Sequence, residues 1–292
     1  MIRGKKILVT GGAGFIGSHL CESLVNQNQV VSLDNYSTGH DANHVEGVEY
    51  ICGDTSDVLD LIAIKPDLVF HLGEYSRVEQ SFDDIEMVWR SNKLGTFAVL
   101  EFCRRYACKL IYAGSSTKFG DGGLGRSQSP YGWTKASNTE LVINYGSWFS
   151  LNYAITYFYN VYGPREISTG KYATLIALFA EKMRLGEPLG IVSPGNQRRH
   201  FTYVHDVVKA LEIIGAEGSG DEFGIGHQDS FSVIEIAKMF GGRMQMLESR
   251  RGNRLAADLM TDKTTSLGWK PEMEIATYIE LLRARGWQDL GR

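Results

Sequence analysis

The chain has no paired arrangement of cysteines. Its four thiols, Cys21, Cys52, Cys103 and Cys108, form no CxxC pair and have no histidine cluster beside them. A disulfide framework or a zinc site is therefore unsupported, no metal is expected, and reduced buried thiols are the better reading. A surplus of basic charge is also missing. Thirty Lys and Arg stand against 34 Asp and Glu, a net charge of -4, so nucleic-acid binding through a broad basic surface is not expected. No apolar run is long enough to span a membrane. Arg3, Lys5 and Lys6 precede ILVT faintly in the manner of a secretory signal. That apolar run is short and passes directly into glycines, so it reads as a first strand. The expected location is the cytoplasm. There is no internal repeat and no low-complexity tract. What is present is 43% hydrophobic and 22% charged over 292 residues, an ordinary globular composition that can build one large or two modest domains.

Short apolar runs alternate with helical spacing. Residues 6–10 (KILVT), 30–33, 48–52, 68–72 and 109–113 read as buried strands, and 153–158 as a sixth. Helices are expected over 15–26, 87–106 and 131–148. This alternation predicts an α/β fold, a doubly wound parallel sheet of Rossmann type with helices on both faces. After Gly163-Pro164 the pattern is less regular, with helices expected over 173–185, 204–214, 233–240 and 273–285 and a short strand over 188–192. The division expected is a cofactor domain over 1–165, part of 195–225 returning to it, and a smaller, partly interleaved C-terminal substrate domain over 166–292.

Two local patterns carry chemistry. Gly11, Gly14 and Gly17 form GxxGxxG between the first strand and the first helix. The first glycine permits a tight turn, the second leaves room for a pyrophosphate, and the third lets helix and sheet pack closely. The helix N-terminus then offers free N–H groups and a positive dipole end to phosphate. Asp34 ends the second strand, where an acid binds a ribose 2′-hydroxyl and repels a 2′-phosphate, favouring NAD over NADP. A turn-capping role is the alternative for Asp34. Asp54 after the third strand is expected either near the adenine or in a turn. Downstream, Tyr131 and Lys135 stand at i and i+4 in SPYGWTKASNTE, on one helix face. A phenol titrates near pH 10 and becomes a usable base near neutrality when a cation favours the phenolate. YxxxK alone is a weak signal, but beside the glycine turn it indicates a nicotinamide cofactor and a proton-transferring tyrosine.

With these residues in place, the chain resembles the extended short-chain dehydrogenase/reductase family, in particular its NAD-dependent nucleotide-sugar epimerases and dehydratases. The resemblance runs almost end to end. It covers TGGAGFIGSH, LDN at 33–35, GD at 53–54, HLGEYSRVEQS at 71–81, and Asn92 with GT at 95–96. It continues through AGSSTKFG at 113–120, SPYGWTK, YNVYGPRE, RRHFTYVHDVV and the RRGN around Arg250. The resemblance implies a triad of Ser115, Tyr131 and Lys135, with Ser115 hydrogen-bonding the sugar hydroxyl and Lys135 holding the nicotinamide ribose. It implies cofactor contacts from Gly11, Gly14, Phe15, Ile16, Gly17, Asp34, Asn35, Asp54, Leu72, Gly73 and Asn92, the last of which could equally serve a helix turn. On the substrate side it implies Ser115, Ser116, Asn160, Arg199 and Arg250 toward a nucleotide-diphosphate sugar. Arg198 and Arg251 are alternatives to the two arginines if the register is off by one. Ser116 and Thr117 are otherwise expected as turn residues. A homodimer joined by two helices per subunit, with 87–106 and 131–148 as the candidates, and a setting in surface-polysaccharide synthesis are also implied.

Family dehydratases carry an Asp-Glu pair directly after the triad's hydroxyl residue. Here Ser116 and Thr117 stand there, and neither is a strong acid or base. The resemblance thus favours epimerisation, at C4, over 4,6-dehydration, decarboxylation or keto-sugar reduction. A non-catalytic NAD-binding protein is a further alternative, opposed by the intact triad. Departures from the family pattern are a short glycine-rich stretch (DGGLGRSQ), Lys118 in place of an apolar residue, Glu74 in place of a small one, and His200 in place of Asp. Each tunes substrate charge or specificity, or has no consequence. Lys118 is an expected candidate for an extra acid/base.

Overall fold

The computed structural model describes residues 2–249, 251 and 255–289. In chain order the strands are β1 (Lys6–Thr10), β2 (Gln29–Asp34), β3 (Glu49–Cys52), β4 (Leu68–His71), β5 (Lys109–Ser115), β6 (Tyr153–Phe158), β7 (Val161–Tyr162), β8 (Leu189–Val192), β9 (Arg198–His200), β10 (Thr202–Tyr203), β11 (Gly220–Ile225), β12 (Ser230–Ser232) and β13 (Met244–Leu247). The helices are α1 (Phe15–Leu24), α2 (Val58–Leu61), α3 (Ile85–Val88), α4 (Thr96–Tyr106), α5 (Pro130–Phe149), α6 (Leu175–Leu185), α7 (Val204–Glu217), α8 (Val233–Phe240), α9 (Asp262–Ser266) and α10 (Ile275–Ala284).

Seven strands form one parallel sheet in the order β11-β6-β5-β4-β1-β2-β3. The chain reverses its direction of build between β1 and β4. Ligands in open α/β sheets bind at such a switch point, outside the carboxyl ends of the strands. The runs read as strands are apolar because both faces are covered. On one side Ile7, Val9 and Phe70 pack with Leu20, Leu24, Val207 and Leu211 from α1 and α7. On the other, Leu8, Val31 and Val69 pack with Val99, Phe102 and Val142 from α4 and α5. A third core joins α6, α8 and α10 through Phe179, Phe240 and Tyr278, beside the small pairs β13–β8 and β12–β9. Among the described residues no helix is long and apolar enough to cross a membrane.

Several expectations shift. The helix expected over 87–106 is split: a π-helical stretch, Trp89–Gly95, separates α3 from α4. β11 was not expected, because GDEFGI carries two acids and two glycines, yet it adds the seventh strand beside β6.

Candidate active site

The glycine turn opens onto the switch point. Gly11 has φ +78°, and a Cβ there would lie 2.9 Å from Gly73 Cα across the crevice. At Gly17 a Cβ would fall 2.0 Å from the Gly11 carbonyl oxygen, so the turn needs glycine at both positions. Gly14 is the N-cap of α1 and gives no side-chain cap, and the first turn has no acid. The first N–H groups of this ten-residue helix therefore lack an intrahelical partner. That is a fit for a pyrophosphate.

Asp34, at the end of β2, is 7% exposed. Its two carboxylate oxygens accept from Ala13 N (2.9 Å) and Tyr36 N (2.8 Å). Burial pushes its carboxyl up, opposed by those amides. Asp54 is held from two sides, by Asn35 Nδ2 at 2.6 Å and Arg90 Nη2 at 2.7 Å. Asn35, Asp54 and Arg90 together form one end of the crevice wall. Arg90 was not anticipated, because nothing in its local sequence marks it.

The crevice continues as one cavity of about 620 Å³ from the glycine turn to the C-terminal half. Its wall includes Gly11, Gly14, Phe15, Ile16, Gly17, Asp34, Asn35, Asp54, Leu72, Gly73, Ser115, Ser116, Tyr131, Lys135, Asn160 and Arg199. The helix that presents Tyr131 and Lys135 starts where local chemistry requires. Ser129 caps it by accepting from Gly132 N at 3.0 Å, and Pro130 occupies the first turn. Tyr131 and Lys135 therefore stand one turn apart near the helix start, both nearly buried. Ser115 ends β5 and donates to Thr117 Oγ1 at 3.0 Å. Lys135 Nζ donates to Ala113 O at 2.7 Å, lies 5.4 Å from the centre of the Tyr112 ring, and forms an ion pair with Glu74.

Other expected residues fall elsewhere. Asn92 is not in the cavity wall. Its amide is taken up by the Tyr75 backbone (2.7 Å to N, 3.2 Å to O) and by Thr134 Oγ1, so it fixes the loop after β4 rather than facing a ligand. Arg198 turns outward onto Glu235 at 3.1 Å, while its neighbour Arg199 lines the cavity. Arg250 lies outside the described residues, and Arg251 is part of the cavity wall. Asn160 donates to His200 O at 3.1 Å. His200 itself ties β9 to the His227 carbonyl at 2.9 Å, so its departure from Asp has a structural use. Lys118 points away from the reacting end, with Nζ 3.2 Å from Tyr157 Oη and 3.7 Å from Asp221. Those contacts place its ammonium against the β6–β11 edge and remove it as an extra acid/base. The glycine-rich stretch has a role through Asp121, whose carboxylate accepts from Leu255 N and Ala256 N (2.9 and 3.2 Å) and so secures the segment after Arg251.

Sequence reasoning missed two more charged groups in the wall. Arg77 donates to the Tyr172 carbonyl at 2.9 and 2.7 Å, and burial pulls its guanidinium below its ordinary value. Glu166 accepts from Gly163 N at 2.9 Å through one oxygen, while the other has no hydrogen-bond partner. Burial pushes its carboxyl up to about 7. The signal for each was its place in a segment shared with the family, Glu166 in YNVYGPRE and Arg77 in HLGEYSRVEQS.

A family profile, the NAD dependent epimerase/dehydratase family, matches residues 7–226. The chain is 33% identical over 291 residues, 92% of this chain and 94% of the relative, to a Methanocaldococcus jannaschii protein named "Putative UDP-glucose 4-epimerase". It superposes with TM-score 0.88 and 27% identity, over 96% of this chain and 99% of the other, on the UDP-glucose 4-epimerase of Thermotoga maritima with UDP-glucose. The Thermus thermophilus UDP-glucose 4-epimerase complex with NAD gives TM-score 0.85 and 27% identity over 96% and 98% of the two chains. The glycine turn, Asp34 and the Tyr131–Lys135 turn thus sit within a match that spans the sheet, and the chain belongs to the NAD dependent epimerase/dehydratase family.

Proposed function

We propose that this protein epimerises a nucleotide-diphosphate hexose at C4, with a UDP-hexose as the first choice, and retains NAD through each turnover. The observation that carries this reading is the composition of the reacting end. Ser115, Tyr131 and Lys135 share one wall, while Ser116 and Thr117 bring hydroxyls where an acid pair would serve elimination of water. The relatives named UDP-glucose 4-epimerases support the choice of nucleotide and carbon.

Gly11, Gly14, Phe15, Ile16 and Gly17 would hold the pyrophosphate, Asp34 a ribose hydroxyl, Asn35 and Asp54 the adenine end, and Leu72 and Gly73 the nicotinamide side. Bound NAD supplies a hydride acceptor and, for the return step, a donor. Ser115 orients the sugar hydroxyl by hydrogen bonding. Tyr131 takes the hydroxyl proton as the carbonyl forms and gives it back when the carbonyl is reduced. Lys135 favours the ionised phenol and holds the nicotinamide ribose. Asn160, Arg199 and Arg251 hold the diphosphate, since planar guanidinium groups pair with phosphate oxygens. Anchoring the diphosphate leaves the keto-sugar free to turn over before its other face is reduced. Binding energy is thereby spent away from the reacting carbon. In this reading 1–165 is mainly the cofactor domain and 166–292 mainly the substrate domain.

The test is incubation of purified protein with UDP-, GDP-, CDP- and dTDP-hexoses, read by NMR without added reductant. Interconversion of C4 epimers in the UDP arm is expected. Loss of the C6 hydroxyl or of carbon dioxide would replace the reading with dehydration or decarboxylation, and, in a parallel arm with added NADH, net consumption of that NADH would replace it with reduction.

A homodimer is part of the proposal. Met87, Trp89, Leu94 and Phe97 are exposed around α3 and α4, as are Trp133, Trp148 and Phe149 on α5, and Trp89 stacks on Trp133 with ring centres 5.8 Å apart. Apolar exposure on this scale marks an interaction surface, and sedimentation at micromolar concentration should give twice the chain mass. A cytoplasmic location and a role in polysaccharide precursor supply complete the reading. The free, buried Cys21, Cys103 and Cys108 suit a reducing compartment, which cell fractionation would check.

A further inference from the structure

Glu74 follows β4, and its side chain is only 1% exposed. A buried carboxylate without a counter-ion would cost several kcal/mol, and every element around this one contributes to holding it. Lys135 of α5 forms the ion pair. Thr96 Oγ1 at the start of α4 donates at 2.7 Å, Asn138 Nδ2 of α5 at 3.0 Å and Tyr112 Oη of β5 at 3.2 Å. His71 of β4 faces the same cluster, with one ring nitrogen 3.0 Å from Thr96 Oγ1 and the other 2.7 Å from Thr10 Oγ1. Burial draws His71 down to about 4, so it carries no charge near neutrality. Lys93 stands one bond further off, its ammonium 2.8 Å from Asn138 Oδ1. Burial, the largest influence, pushes the Glu74 carboxyl up, but the Lys135 ammonium, its hydrogen bond and that of Thr96 together more than offset it and hold the carboxyl below its ordinary value. Glu74 is therefore ionised, and Lys135 is its direct counter-ion.

On the epimerase reading, we propose that Glu74 is a positioning residue for Lys135 whose negative charge offsets the ammonium felt by Tyr131 and so moves the working range of the phenol to higher pH. Here the Lys135 cation already has a buried carboxylate partner. The other titratable groups around Tyr131 are Arg77 and Tyr75 from the loop after β4, Tyr112 from β5 and Tyr172, and Glu166 approaches Arg77 from the substrate side. Arg77 remains a cation acting on the phenol, with a carboxyl group of its own nearby. Removing the Glu74 charge leaves Lys135 with the Ala113 carbonyl and the Tyr112 ring face. The phenol then meets an unmasked cation, and one charge nearby displaces a titration by about one to two pH units.

The test reads Tyr131 directly. Tyrosinate ultraviolet absorbance is titrated in the wild-type protein and in Tyr131→Phe, and the difference isolates the Tyr131 step. The same difference is taken on a Glu74→Gln background. The step, and with it the acid limb of turnover, is expected to move to lower pH by about one to two units. Glu74→Asp keeps the charge on a shorter stem. It should leave the step where the wild-type protein has it while lowering kcat, because the ammonium is displaced. A step that stays put in Glu74→Gln, or moves to higher pH, overturns the proposal. If Glu74→Gln does not fold, Glu74→Ala is titrated in its place against the same outcomes. A wild-type protein without epimerase activity would remove the proposed function, yet the absorbance step would still decide the role of Glu74.

Discussion

Tyr131→Phe is expected to lower turnover roughly 10²–10⁴-fold, the usual contribution of a positioned proton-transfer group. Fold and NAD affinity should survive. The ring packs in a small cluster with Tyr75, Val88, Val78 and Tyr172, and phenylalanine fills the same volume there. Asp34 and the glycine turn, at the other end of the crevice, are untouched by the change. The measurement is kcat alongside NAD affinity by calorimetry. A variant that keeps more than a tenth of wild-type kcat would show that another group moves the proton.

Lys135→Met should affect both activity and stability. Activity falls because the phenol loses its cation. Stability falls because the ion pair is buried: the Lys135 and Glu74 side chains are 6% and 1% exposed. Removing one partner of such a pair costs about 3–5 kcal/mol, since the other charge is left uncompensated. The sign of the pH dependence follows. In the wild-type protein the Glu74 carboxyl is held below its ordinary value. Its contribution is therefore present above the unfolded carboxylate range and lost as pH falls through the folded value. In the variant burial acts on that carboxyl against only the hydrogen bonds from Thr96, Asn138 and Tyr112, so it rises, and the variant should gain stability relative to wild type as pH falls from 8 toward 5. The double variant Lys135→Met/Glu74→Gln should recover most of the lost stability and none of the turnover. Denaturant melts of the four proteins complete the cycle. A single variant as stable as wild type at pH 8 would contradict the burial argument.

The fold was legible where the determinants are local. Alternating apolar runs and glycines at fixed offsets marked a parallel sheet and the helix over 131–148, while the strand order and the Ser129-Pro130 cap of α5 came only from the structure. The match to the family covers this region and agrees with the NAD-dependent reading. The charged lining was less legible. Glu74 was visible as a departure, but its use depends on Lys135, Thr96 and Asn138, which only the sheet brings near. Arg77 and Arg90 look like surface cations in sequence, and only packing puts them in the cavity wall. For Asn92 sequence left a cofactor contact and a helix-turn role open, and packing shows its amide engaged with the Tyr75 backbone. Periodicity over 87–106 suggested one uniform helix, because the π-helical turn at Trp89–Gly95 preserves an apolar face while changing its pitch.

The position of β11 bears on how the protein comes to exist at all. Its residues follow α6 and precede α8 and α10, yet they complete the sheet begun at the N-terminus, pairing with β6. A nascent chain stopped at 165 would expose the β6 backbone as a bare edge, the kind of surface that recruits stray strands. A truncation before Gly220 would therefore remove the strand that closes the sheet on β6.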